Sequence, residues 1–219
     1  LLSGQCVDRN WRHIPHVTHH DEADITELET FRREMAETFG KQGIRLTLVS
    51  FLLKAVTAAL KAFPDFNASL APDGKAVILK KYVHIGVVVD TSEGLVIPVI
   101  RDVDHKGLLE IATEVGAMSG KARDRKLRPE DFSGGCFTVS SLGGIGGVGF
   151  TPIVNAPEVA ILGVSKARMQ PVYRKDAFVP RLMLPLSLSY DHRVIDGAAA
   201  ARFSAYLCFL LGDVRRLML

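Results

Sequence analysis

Little in this chain marks a specialised environment. Three cysteines, Cys6, Cys136 and Cys208, lie far apart in 219 residues, and there is no CxxC. That excludes a disulfide framework and a paired-cysteine zinc site, and it points to a reduced, cytoplasmic compartment. No apolar run approaches the ~20 residues that span a bilayer, so no membrane partner is expected. The net charge is only +3, with a pI near 8.8. So small an excess predicts no nucleic-acid partner, although it suits mild attraction of an anionic substrate such as a nucleotide-bearing thiol. No internal repeat and no low-complexity linker occur. Leu1-Leu2-Ser3-Gly4-Gln5 is followed by polar residues, so no signal peptide begins here. A start without methionine reads as a fragment of a longer chain.

What is present is ordinary globular material, 47% hydrophobic and 23% charged, enough to bury a substantial core. Residues 1–23 read as a strand-like, histidine-rich lead-in. Asp24 and Glu27 have capping-box spacing for a helix that runs to Gly40, with Ile25, Leu28, Phe31 and Met35 on one stripe. A second helix, apolar enough to be buried, covers Thr47 to Phe63 and stops at Pro64. Residues 66–101 read as strands broken by turns at Pro72-Asp73-Gly74 and Ser92-Glu93-Gly94. A third helix covers Gly107 to Lys126. Strands follow at Cys136 to Ser140, Val159 to Val164 and Leu182 to Ser189, and a last helix at Gly197 to Leu211. One mixed α/β domain over residues 1–219 is the economical reading.

Two constellations carry chemistry. The first is Asp191-His192-Arg193-Val194-Ile195-Asp196-Gly197, between an apolar strand and an alanine-rich helix. A histidine at such an exit is held firmly yet reaches a cleft, and imidazole suits deprotonation of a thiol near neutral pH. The alternative is a hydrogen-bonded histidine at a strand end. The second is Ser140-Ser141-Leu142-Gly143-Gly144-Ile145-Gly146-Gly147. Its hydroxyls and amides can stabilise an oxyanion or meet a phosphate. A purely structural glycine turn is the alternative. A dinucleotide fingerprint is disfavoured, because no helix follows and there is no P-loop lysine. His13, His16, His19 and His20 cluster in sequence, but an extended backbone turns them to different faces and no metal site is expected.

With both constellations in view, the chain resembles the catalytic domain of the dihydrolipoyl acyltransferases of 2-oxo acid dehydrogenase complexes. The resemblance runs along essentially the whole chain. Ile14-Pro15-His16-Val17-Thr18, Phe63-Pro64-Asp65-Phe66-Asn67, Gly94-Leu95-Val96-Ile97-Pro98-Val99, Asn155-Ala156-Pro157-Glu158 and Asp191-His192-Arg193 carry it. Phe150 to Gly197 is most similar to the bacterial pyruvate-complex acetyltransferase form. The implied fold is α/β and chloramphenicol-acetyltransferase-like, a two-layer sandwich with a mixed β-sheet flanked by helices.

The resemblance also implies roles. His192 is then the general base, Ser140 the oxyanion donor and Asp196 a positioning group that relatives replace with asparagine. No acyl-enzyme forms. Coenzyme A is a substrate expected near Arg32, Thr47, Asp90, Ser119, Ser141, Val164 and Ser165. The lipoyl group is a second substrate, presented from a separate domain absent here, and no metal takes part. A homotrimer with its active site at the subunit interface is implied, assembling into a cubic core of 24 in which Val214 to Leu219 forms a contact knob. Pyruvate dehydrogenase and dihydrolipoamide dehydrogenase components are expected to attach through domains outside this chain. A non-catalytic scaffold, or transfer of a succinyl or branched-chain group, are the rival readings.

Overall fold

The computed structural model describes residues 4–217. Its first helix, α1 (Gly4–His13), corrects the strand-like lead-in. Val7, Trp11 and Ile14 repeat at helical spacing, and Asp8 pairs with Arg12 one turn later at 2.9 Å. Asn10 anchors the helix by donating Nδ2–H to the Val154 carbonyl at 3.1 Å. Strand β1 (His16–Asp24) follows Pro15, then α2 (Thr26–Gly40).

The predicted capping box does not form. Ile25 occupies the N-cap of α2 and makes no side-chain cap. Asp24 Oδ1 accepts from the Thr26 amide at 3.1 Å and hydroxyl at 2.7 Å, while Oδ2 pairs with Arg174 and Arg181. Burial pushes the Asp24 carboxyl up, but the bonds from Arg181 and Thr26 outweigh it and hold the group below its ordinary range. Glu27 reaches Arg181 instead of the helix start. A long-range ion pair within the chain has replaced a local cap.

Helix α3 (Leu48–Ala62) is buried along most of its length, as its apolar sequence predicts. Beyond Pro64 the chain enters short strands: β2 (Ala68–Leu70), β3 (Val77–Leu79), β4 (Ile85–Val87), β5 (Val89–Thr91), β6 (Gly94–Val96) and β7 (Val99–Ile100). Pairs β2–β3 and β5–β6 are hairpins closed at the two predicted turns. Helix α4 (Leu108–Arg123), β8 (Phe137–Ser141), β9 (Ala160–Val164), β10 (Arg168–Arg174), β11 (Ala177–Asp191) and α5 (Gly197–Leu211) complete the order. The tail forms a 3-10 turn at Val214–Leu217. Met218 and Leu219 of the expected contact knob, and the first three residues of the lead-in, lie outside the described residues.

The main sheet runs β1-β11-β9-β8-β4-β7, with β10 also paired to β11. Strands β4, β8 and β9 are parallel and the other pairings antiparallel, so the sheet is mixed. The β10–β11 hairpin went unread in the sequence because its turn has no glycine. Lys175 and Asp176 both adopt positive φ, 47° and 65°, the conformation a two-residue hairpin loop requires. The long strand β11 starts five residues before the predicted Leu182 and crosses Pro180.

The two faces of the sheet differ in chemistry. Phe137, Val139, Leu162, Leu184, Leu186, Leu188 and Tyr190 join one core with α2, α3, α4 and α5. Phe66 stacks on Phe203 of α5 with centroids 4.1 Å apart, which fixes that helix to the sheet. The opposite face carries Thr138, Ser140, Ser187, Ser189 and Thr18, with a smaller apolar cluster of Ile14, Val154 and Ile161 under α1. No helix among the described residues is long and apolar enough to cross a membrane.

Candidate active site

Parallel strands β4, β8 and β9 all end at one edge of the sheet, where crevices form in such folds. Two adjoining clefts of about 790 and 760 Å³ open there, within the size range of small-molecule sites. Thr47 and Ser141 line both. Arg32, Val164 and Ser165 line the first, and Asp90 and Ser119 the second. The seven residues expected to meet coenzyme A are thus gathered at one place from six separate segments.

Arg32 is less available than its position implies. Its Nε and Nη2 donate to the two carboxylate oxygens of Glu29 at 2.7 and 2.8 Å, and Nη1 donates to the Leu46 carbonyl at 3.0 Å. The bond to Arg32 is the main reason the Glu29 carboxyl sits below its ordinary range, and Glu29 in turn raises Arg32. The pair braces the corner between α2 and α3.

The glycine loop behaves as a turn with a purpose. The Ile145 and Gly146 amides both donate to the Leu142 carbonyl, and Gly147 has a φ of +84° that other residues rarely adopt. Gly143 and Gly144 form part of the cleft wall. Ser140, one residue before the cleft, points to the polar face of the sheet. It is 8% exposed, and its hydroxyl has no hydrogen-bond partner among the described residues.

The histidine loop is built separately. Asp191 ends β11, and its amide donates to the Val159 carbonyl at 2.9 Å. Arg193 grips its buried carboxylate with two ion-pair bonds, Nη2 to Oδ2 at 2.6 Å and Nε to Oδ1 at 2.9 Å. The Val194 and Ile195 amides close the turn on the Asp191 carbonyl. His192 is held at its backbone, which donates to the Pro15 carbonyl at 3.1 Å, while its ring lies 5.9 Å from that of Tyr190 and is exposed. Asp196 caps α5: its Oδ1 accepts the Ala199 amide at 2.7 Å. Asparagine caps equally well, so the role needs an oxygen and not a charge.

Within one chain the two catalytic candidates do not meet. Ser140 lies opposite Gly163, near the end of β9, whereas Asp191 is level with Val159, just before its start. Four residues at ~3.3 Å each and two strand spacings of ~4.8 Å put their backbones roughly 16 Å apart. Neither His192 nor Asp196 lines either cleft.

Several groups escaped the sequence reading. Glu158 is fully buried, accepts from Thr138 Oγ1 at 2.6 Å, and is raised to about 7 by desolvation against the opposing bonds from Thr138 and Asn155 and the charge of Lys80. Phe150 lies over Gly163, where a Cβ would come within 2.7 Å of the ring. Arg45 and Lys166 edge the clefts without an acidic partner among the described residues. Glu158 stands in the Asn155-Ala156-Pro157-Glu158 run that carries the resemblance, but nothing in that run signals a buried acid, and the others have no motif around them. Among the lead-in histidines, His16 is fixed within the fold, Nδ1–H donating to the Ile14 carbonyl and Nε2 accepting the Val154 amide. The described residues hold no cluster of three or more metal-type side chains.

Comparison with known proteins gives a consistent picture. The family of 2-oxoacid dehydrogenases acyltransferases (catalytic domain) matches residues 4–219. The dihydrolipoyllysine-residue acetyltransferase component of the pyruvate dehydrogenase complex of Pseudomonas aeruginosa is 62% identical over 97% of this chain. The chain spans 39% of that relative's length. A solved Azotobacter vinelandii dihydrolipoamide acetyltransferase superposes with a TM-score of 0.96 at 60% identity, covering 98% of this chain and 88% of that one. A serine, a histidine 52 residues later and an asparagine four beyond that have been studied for their role in its catalytic mechanism. The cubic core of a pyruvate dehydrogenase multienzyme complex matches equally well, with the same score, identity and coverage. Chloramphenicol acetyltransferase, 18% identical with a TM-score of 0.60 over 94% of each chain, shares the fold. This chain belongs to the 2-oxoacid dehydrogenase acyltransferase catalytic-domain family.

Proposed function

We propose that this chain is a single catalytic domain that transfers an acetyl group from an S-acetyldihydrolipoyl group, presented by a separate lipoyl domain, to coenzyme A. The observation that carries the proposal is the division of the site. The clefts and the histidine loop are each well formed, yet Ser140 and His192 of one chain lie too far apart to act on one carbonyl. A neighbouring copy supplies the missing half, so the active unit is a trimer with its sites between subunits. The spacing supports the assignment: Ser140, His192 and Asp196 are separated by the same 52 and four residues as the serine, histidine and asparagine of the Azotobacter enzyme.

The chemistry balances without a covalent enzyme intermediate. The His192 imidazole takes the thiol proton of coenzyme A. The thiolate adds to the thioester carbonyl, and the resulting oxyanion accepts a hydrogen bond from Ser140 of the neighbouring subunit. Collapse breaks the bond to the dihydrolipoyl sulfur, which leaves with the proton held on His192. Asp196 acts through the helix start that it caps. Trimers assemble further into a 24-subunit cube, a reading supported by the cubic-core likeness, and the other complex components attach through domains outside this chain. The setting is the bacterial cytoplasm.

The test is an assay of acetyl-dihydrolipoamide with coenzyme A. The wild-type protein should release acetyl-coenzyme A, and His192→Ala should lower kcat by about 10²–10⁴ with its assembly size unchanged. Near-wild-type turnover by the intact variant would remove the general-base role.

A further inference from the structure

The chemistry proposed above gives the lead-in histidines no task. His13 sits exposed on α1 with Nδ1 2.8 Å from the Arg9 carbonyl, and His20 reaches the Ser187 hydroxyl. His16 differs from both, because its two ring nitrogens are engaged at once. Nδ1–H donates to the Ile14 carbonyl at 2.8 Å, and Nε2 accepts the Val154 amide at 2.9 Å. A carbonyl only accepts and an amide N–H only donates, so the two bonds together demand the neutral ring with its proton on Nδ1. Trp11 lies against that ring, with centroids 5.3 Å apart.

The position of this bond pair gives it a consequence for the histidine loop. The loop hangs from two separate segments. The His192 amide donates to Pro15, immediately before β1, and the Asp191 amide donates to Val159, immediately before β9. Strands β1 and β9 flank β11 on opposite sides. His16 stands opposite Asp191 in the β1–β11 register, so their side chains share a face. From there its ring reaches past the end of β11 to Val154, in the loop that leads into β9. Asn10 of α1 holds the same residue through the Val154 carbonyl. The two supports are thus tied together where Asp191 and His192 leave the sheet. The His192 ring makes no hydrogen bond of its own among the described residues, so its placement depends on those supports.

We infer that His16 is a positioning residue: its neutral ring staples the start of β1 to the loop before β9 and so sets where the His192 imidazole stands. This rests on the general-base reading of His192 given above.

Two substitutions in the intact protein separate the bonds. The side-chain oxygen of His16→Gln extends as far as Nε2 and accepts the Val154 amide, whereas the amide of His16→Asn extends only as far as Nδ1 and keeps the Ile14 bond. Each variant loses one bond, so the two should show comparable falls in Tm with assembly size unchanged. His16→Asn should lower kcat for acetyl transfer about 10- to 100-fold, and His16→Gln should stay within about threefold of wild type. KM for coenzyme A should not change in either, because neither His16 nor Val154 lines the clefts. His16→Phe keeps a ring against Trp11 and loses both bonds. It should fall as far as asparagine, and it replaces that variant in the comparison if asparagine does not assemble. Equal kcat in the glutamine variant and its comparator, whether high or low, overturns the positioning role, as does a raised KM for coenzyme A with kcat intact. A wild-type protein that releases no acetyl-coenzyme A overturns the general-base reading itself, and the role of His16 with it.

Discussion

The two ends of strand β9 make different kinds of site. At its C-terminal end one chain folds a complete pair of clefts, lined by several separate segments and edged with unpaired cations. At its N-terminal end the same chain builds a rigid turn, locked by Asp191 and Arg193, and leaves the His192 ring exposed. The contrast teaches that one chain completes its clefts alone but leaves the histidine end open; in the function proposed above, binding is then local to a chain while chemistry is shared between chains.

The sharpest way to break that contrast is to mix subunits. His192→Ala and Ser140→Ala homo-assemblies should each be nearly inactive. Co-assembled by denaturation and refolding together, they should regain turnover, because some interfaces then pair an intact serine with an intact histidine. No recovery, in assemblies shown to be mixed, would place both groups in one chain. Ser140→Ala alone should lower kcat by about 10²–10³, with coenzyme A binding measured by calorimetry unchanged, since its hydroxyl faces away from the clefts.

A smaller effect concerns the brace between the two ends. Glu158 adjoins Val159, which receives Asp191, and bonds Thr138 two residues before Ser140. Its folded-state pKa of about 7 lies above the ordinary 4.5, so folding favours the neutral acid. That contribution is full at low pH and is lost as pH rises from about 4.5 through about 7. The loss is on the order of 3 kcal/mol. Glu158→Gln, measured by denaturant melts across that range, should flatten the decline. A wild-type stability that stays level over the same range would refute the buried-acid account.

The smallest effect separates charge from capping at the histidine end. Asp196→Ala should cost about 1 kcal/mol through the lost cap of α5, and Asp196→Asn only a few tenths. If the asparagine variant instead loses activity as badly as alanine, the carboxylate charge matters in its own right.

How much of this was legible in the sequence depended on how local the signal was. Helix α3 announced itself through an apolar run closed by proline, and the β2–β3 and β5–β6 turns through glycine. Ser140 and His192 could be read because each sits in a distinctive local run. Helix α1 was obscured by the histidine-rich run that begins at its last residue and by a short apolar stripe whose partner, Val154, lies far along the chain. Asp24 looked like a cap because its competitor, Arg181, is 157 residues away. The neutralisation of Arg32 was equally invisible: the Glu29 spacing was there, but a free and a committed guanidinium read alike until the corner that buries them is folded. The long-range pairings, and not the propensities, decided these cases.

One detail of the β10–β11 hairpin reaches beyond the active site. Pro171 and Pro180 face each other across the pair, and neither can donate an N–H at that rung. The hairpin carries exposed Met169, Tyr173 and Phe178, a combination of β structure and apolar surface that invites strand-to-strand growth. With a proline in the middle of β10 and arginines at both its ends, an arriving strand finds an interrupted ladder. In the many-copy assembly proposed above, that edge would let the hairpin be covered by side-chain packing while denying it to fibre-like extension.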